Sequence, residues 1–255
     1  MANDEDFDPG ESEPLPYPHL DAIDFGQTSA GLRSLAFLGD DMFLGMQAFN
    51  IQMVDETVTE MEYQVLRELF ETDRTPADAH MLNALSQMWV MAVYELLRTW
   101  RQRARHLLAL ADKGDLESEL GRLQLDQGYE SAGVGARIAV LESAIAVGDL
   151  KTLVERDLAR IHIPFRRIEA LRMNLAKHEN RGQKGSIAHM PGYGRINRYC
   201  GSLDYELSNA RYVLGTISRR DIADHLRALA DGAEPPAPDD IKAFDLSMQG
   251  PQNPP

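Results

Sequence analysis

Arg172 and His178 stand six positions apart in Leu171-Arg172-Met173-Asn174-Leu175-Ala176-Lys177-His178-Glu179. Arginine is a permanent cation with a forked set of donors, and histidine moves protons near neutral pH. Such a pair has the chemistry to cleave RNA without a metal. The ribose 2′-OH must lose a proton, the phosphorane gathers negative charge, and the departing 5′-oxygen must gain a proton. Histidine can serve as the base or the acid, and a guanidinium can hold the charged phosphorane.

The helix that carries the pair sets a limit on it. Helical periodicity from Pro164 to Glu179 puts Ile168, Leu171 and Leu175 on one apolar seam. Arg172 and His178 flank that seam about 120° apart and about 9 Å apart along the axis. Convergence on one phosphate therefore requires an unwound last turn or a second copy of the helix in a homodimer.

Charge is unevenly distributed. The net charge is −14, of which residues 1–30 carry −8 and residues 231–255 carry −4, leaving −2 for residues 31–230. Within that middle, residues 156–198 hold ten Lys and Arg against three acids, a local +7 that includes Arg166, Arg167, Arg172 and Lys177. A basic stretch of this kind can face RNA phosphates. No carboxylate–histidine cluster suggests a metal, and nothing in the sequence implies a cofactor. The lone Cys200 excludes an intramolecular disulfide and a Cys-based zinc site, and a reducing, cytoplasmic setting is the expectation. The first residues are acidic where a signal peptide would be basic and apolar. No apolar run approaches the roughly 18–20 residues of a membrane span, so no membrane partner is expected.

The elements around the motif read as helices. Asp40 or Asp41 caps a long helix to about Thr72, with Met42, Met46, Phe49, Met53, Val54, Val58, Met61, Val65, Leu66 and Leu69 as its apolar positions. Its methionines read as core filler. Thr75 and Pro76 start a second long helix to about Asp112, with Leu82, Leu85, Trp89, Ala92, Val93, Leu96, Leu97 and Trp100 as its stripe and Lys113-Gly114 as its stop. Residues 115–148 read as shorter helices interrupted by Gly128, Gly133 and Gly135. Gly148-Asp149 opens another helix through Ile161, and Pro164 either kinks it or lies in the first turn of a new one. Arg195–Asn197 and Leu203–Leu207 suggest a hairpin, and Thr216 or Ser218 caps a last helix from Arg219 to about Ala230, with Ile222, Leu226 and Leu229 inward. The expected fold is all-α: a bundle of long antiparallel helices with a small β-hairpin appendage near residues 193–207. Residues 1–30 read as an acidic, disordered or loosely attached arm, 31–231 as the helical domain, and 232–255 as a Pro-rich acidic tail.

The motif resembles the Arg-x4–6-His signature of HEPN domains, α-helical bundles that often dimerise. The likeness covers about residues 40–230 as architecture and 166–179 as motif. It implies that Arg172 and His178 are a catalytic pair for metal-independent RNA cleavage by 2′-OH transesterification. Asn174 and Lys177 would be supporting polar groups, and the setting a prokaryotic defence or stress system. The chain departs from active members in having Met173 directly after the arginine, where a polar residue is usual. Inactive HEPN-like domains serve as interaction modules, so a helical module with a regulatory protein partner is the alternative. Arg101-Gln102-Arg103-Ala104-Arg105-His106 also fits the signature; Arg98, Arg101, Arg103 and Arg105 read mainly as a solvated basic face. Pro191-Gly192-Tyr193-Gly194 lacks the strand–loop–helix context of a phosphate loop and reads as a turn.

Overall fold

A computed structural model describes residues 18–125, 131–176, 194–209 and 212–250. Helix α1 (Gly26–Arg33) leads into a buried segment, Leu35 to Leu38, before the long helices α2 (Met42–Thr72) and α3 (Ala79–Lys113). Then follow α4 (Leu116–Gln124), α5 (Ala132–Ala146), α6 (Leu150–Arg160) and α7 (His162–Ala176). A three-stranded antiparallel sheet, β1 (Arg195–Ile196), β2 (Leu203–Ser208) and β3 (Val213–Ser218), precedes α8 (Arg219–Ala228) and α9 (Pro238–Ser247). The expected all-α bundle with a small β appendage is what the chain forms.

Local chemistry accounts for most boundaries. Asp41 caps α2, its Oδ1 accepting from the backbone N–H groups of Phe43 at 3.0 Å and Leu44 at 3.1 Å. Gly114 closes α3 in the left-handed conformation, φ 73°. Asp149 accepts from Thr152 N–H at 3.0 Å to start α6. Pro164 lies in the first turn of α7, where its missing N–H costs nothing, so a new helix begins there. Ser218 and Asp221 form a reciprocal capping box at α8.

Several expectations are corrected. Thr75 and Pro76 do not start α3: they fall before a turn, and the helix begins at Ala79 after Asp78. Gly133 and Gly135 do not interrupt a helix but lie inside α5, where Ser131 provides the cap through Val134 N–H. The hairpin has a third strand, because Thr216 and Ile217 pair with Glu206 and Tyr205 rather than joining the last helix. The ordered body begins before residue 31: Thr28 and Gly31 of α1 are buried against α2 and α8. At the other end, α9 has no buried residue but contacts α7, with His162 Nε2 and Asp245 Oδ1 3.0 Å apart.

The largest correction concerns α2. Its buried face is Leu44, Ala48, Ile51, Asp55, Val58, Thr59, Glu62 and Val65. Met42, Met46, Phe49 and Met53 point outward instead, as do Met81 and Met88 on α3. Periodicity alone cannot choose between two apolar faces of one helix. The choice is made by two buried acids, which meet arginines from α8. Glu62 accepts from Arg219 Nε at 2.7 Å and from Arg220 Nη2 at 2.7 Å. Asp55 accepts from Arg219 Nη1, from Arg227 Nη2 at 2.6 Å and from Thr28 Oγ1 at 2.7 Å.

The aliphatic core runs between α2, α3, α6, α7, α8 and the sheet. Both tryptophans join apolar burial to a hydrogen bond: Trp89 Nε1 donates to Ile51 O at 2.9 Å and Trp100 Nε1 to Ala36 O at 2.8 Å. Two glycines permit close approaches. A Cβ on Gly31 would stand 2.0 Å from Leu226 O, and one on Gly201 (φ +75°) would stand 1.8 Å from Glu62 O.

Candidate functional site

The motif helix α7 is seated by its expected seam: Ile168, Leu171 and Leu175 are buried. Arg172 is half-buried beside that seam. Its guanidinium lies 5.1 Å from the Tyr94 ring centre and donates to Met173 Sδ at 3.4 Å. Met173, the departure from the family signature, thus places a weak sulfur acceptor against the motif arginine. His178 and Lys177 lie outside the described residues. Asn174 is engaged by the sheet, its Nδ2 donating to Glu206 O at 3.2 Å and Ser208 Oγ at 3.5 Å.

Tyr94 stacks on Phe165, with ring centres 5.7 Å apart, and Arg101 lies 3.9 Å over Phe165. The result is a guanidinium–ring–ring–guanidinium series, Arg101–Phe165–Tyr94–Arg172, joining α3 to α7. Among the described residues neither arginine forms a salt bridge, and Arg101 Nε is buried without a hydrogen-bond partner. Burial, then the neighbouring cations Arg105 and Arg166, pushes the Arg101 guanidinium below the usual arginine range. Ring faces stabilise the two cations without neutralising them, so charge remains available at this place.

Other arginines of the basic stretch are committed to the fold. Arg156 and Arg160 both pair with Asp157, and Arg160 also donates to Leu229 O at 2.6 Å and Ala233 O at 2.8 Å. Arg166 bridges Glu169 and approaches Asp245, and Arg167 lies 5.6 Å from the Phe244 ring centre. Asp157 and Glu169 are already subtracted in the local +7; Asp245 of α9, 3.9 Å from Arg166, offsets it further.

The second match to the signature is split by its helix. Arg101 points to Phe165 on α7, whereas His106 lines a cleft of about 310 Å³ between α3, α4 and α5. Leu107, Leu110, Val140 and Leu141 floor this cleft, and Asp41, Arg103, Glu119 and Arg137 edge it. Asp41 pairs with Arg103. The hydrogen bond from Arg122 holds Glu119 below the usual carboxylate range, with Arg137 and His106 adding to the effect. Sequence spacing pointed to Arg101 with His106; the structure gives His106 the company of Arg103 and Arg137, one turn of α3 and one facing helix away. Residues 126–130, between α4 and α5, lie outside the described residues. Among the described residues no group of His, Cys, Asp and Glu could hold a metal ion, and no helix is long and apolar enough to cross a membrane.

Asp41 does two jobs, and substitution separates them. Asp41→Ala should cost about 1–3 kcal/mol in urea denaturation through the lost cap and the unpaired Arg103. Asp41→Asn, which keeps a capping oxygen, should cost less than half of that. Equal losses in the two variants would assign the whole effect to the ion pair.

No protein-family model matches the chain, no curated protein matches it, and no solved structure matches it.

Proposed function

We propose that the chain is a HEPN-like RNA-binding protein in which Arg172 holds a phosphate, and that with His178 it cleaves RNA by metal-independent 2′-OH transesterification. The observation that carries this reading is the pair of cations Arg101 and Arg172 on the Phe165–Tyr94 stack, held in place by rings and free of salt bridges among the described residues. A guanidinium seated this way is oriented before a phosphate arrives, and its charge is still unspent. His178, six residues further on in the sequence, would move the protons.

The test is cleavage of labelled single-stranded RNA in EDTA by the wild type, Arg172→Ala and His178→Ala. Arg172→Ala should slow cleavage about 10²–10³-fold and His178→Ala about 10²–10⁴-fold. RNA affinity should fall steeply as salt rises and should weaken on Arg101→Ala. Equal cleavage by all three proteins, or no salt-sensitive RNA binding by the wild type, would defeat the proposal.

A second reading is a catalytically inactive helical interaction module. It is favoured by the internal pairing of Arg156, Arg160 and Arg166 and by Met173 beside the motif arginine. Under it, His178→Ala leaves function intact.

A further inference from the structure

Helix α2 is apolar on two sides. Met42, Met46, Phe49 and Met53 are each between 52% and 58% exposed. At about 100° per residue they form one stripe about 60° wide, roughly opposite the face that packs into the core. A core-packing role cannot explain a stripe on the far side. From Met42 to Val54 the chain has no charged side chain. Phe43 and Val54, also exposed, widen the patch, and Gln47, Asn50 and Thr57 rim it.

The spacing of the stripe, four, three and four residues, reads the same in both directions. That is the pattern a two-fold axis demands of a helix meeting itself, because contact of residue i with residue j then implies contact of j with i. We infer that α2 pairs antiparallel with α2 of a second copy of this chain, placing Met42 against Met53 and Met46 against Phe49 across the axis. An uncharged stripe suits self-pairing, since a charged one would set like charges opposite each other. The apolar part offers on the order of 500 Å² per chain, the size of the largest apolar patch on a typical monomer, which is often functional. With its polar rim it approaches the roughly 800 Å² per partner of a standard interface. Unbranched methionine side chains can interdigitate across such a seam. This pairing uses the solvent-facing side of α2 and shares no residue with the RNA proposal, which rests on α3 and α7.

Light scattering coupled to size exclusion and sedimentation velocity on the full chain test it. The wild type should run at twice the 28.5 kDa of one chain at micromolar concentration. Met46→Glu and Phe49→Lys, both on solvent-facing positions, should each raise the dimer dissociation constant at least about 30-fold while leaving the far-UV circular dichroism unchanged. The double substitution Met46→Glu with Phe49→Lys should restore the dimer, because each new acid then meets a new base on the other copy. A monomeric wild type at 100 µM overturns the inference, and so does a dimer that neither single substitution weakens. Failure of the double substitution to restore pairing overturns the two-fold register. A wild type that dimerises only after deletion of residues 1–17 would mean that the chain's own N-terminal segment covers the stripe, and would overturn it as well.

Discussion

Glu62→Ala is expected to lower the unfolding free energy by about 3–5 kcal/mol in urea denaturation followed by circular dichroism. Glu62 is fully buried and accepts from both Arg219 and Arg220, which are fully buried too. Its removal leaves two guanidiniums in the interior with Asp55 as the nearest carboxylate to Arg219, and an uncompensated buried charge is among the most costly defects a fold can carry. The cluster balances as it stands: Asp55, Glu62 and Asp224 face Arg219, Arg220 and Arg227. Glu62→Gln keeps an acceptor but not the charge, so its loss should be smaller than that of Glu62→Ala. A loss below about 1 kcal/mol for Glu62→Ala would show that the network is not a structural keystone. The RNA binding proposed for Arg172 should survive in the folded fraction, because the network lies on the α1–α2–α8 side.

The same cluster predicts acid sensitivity. Burial pushes the Asp55 carboxyl up, but the charges of Arg219 and Arg227 and hydrogen bonds from Thr28 and Arg219 hold it below its ordinary 3.8. The folded pKa is then lower than the unfolded one, so near pH 4 the unfolded chain binds the proton more readily. Stability from Asp55 is fully present above the unfolded pKa and is lost as pH falls through the folded one. Asp55→Asn should therefore lower stability at neutral pH and flatten its dependence on pH below about 4.

How far the sequence speaks can be judged at particular residues. Asp40 or Asp41, Gly114, Pro164, and Thr216 or Ser218 mark helix boundaries through chemistry local to a few residues, and the structure uses Asp41, Gly114, Pro164 and Ser218. Ile168, Leu171 and Leu175 marked the buried seam of α7 because only one side of that helix is apolar. On α2 the expected apolar positions mix two faces, Val58 and Val65 being buried while Met42, Met46, Phe49 and Met53 point outward, since that helix has an apolar stripe on each side. A signal was present: Asp55 and Glu62, seven residues apart, share a face with Ile51, Val58 and Val65. Acids on a buried stripe require basic partners, and Arg219-Arg220 is the adjacent pair that provides them. The partners lie some 160 residues away in sequence, which local periodicity cannot see. The same limit applies to the site. Spacing isolated Arg172, but its setting on Tyr94 and Phe165 depends on how α3 and α7 pack.

Trp100→Ala is expected to cost about 3–5 kcal/mol, a fall of roughly 10 °C in melting temperature for a chain of this size. The ring is 2% exposed, and its removal opens a cavity where α3 meets the segment Leu35 to Leu38. The polar half of the residue matters as well. Its Nε1 donates to Ala36 O at 2.8 Å, while Ala36 N–H donates to Asp157 Oδ2 at 2.8 Å. The backbone of one residue is thus held from α3 through its carbonyl and from α6 through its N–H. Asp157 in turn anchors Arg156 and Arg160, so loosening this segment reaches the start of the basic stretch. It also reaches Asp41, five residues on, which caps α2 and edges the α3–α5 cleft. Trp100→Phe keeps most of the ring but leaves the Ala36 carbonyl without its donor, and should cost about 1–3 kcal/mol. Trp89 remains in both variants as a fluorescent reporter of the α2–α3 contact. If Trp100→Ala and Trp100→Phe lose the same amount, the hydrogen bond rather than the packing sets the strength of this joint. If neither loses more than about 1 kcal/mol, the segment before α2 is held by other contacts, and the link from Trp100 through Ala36 to Asp157 has no structural weight.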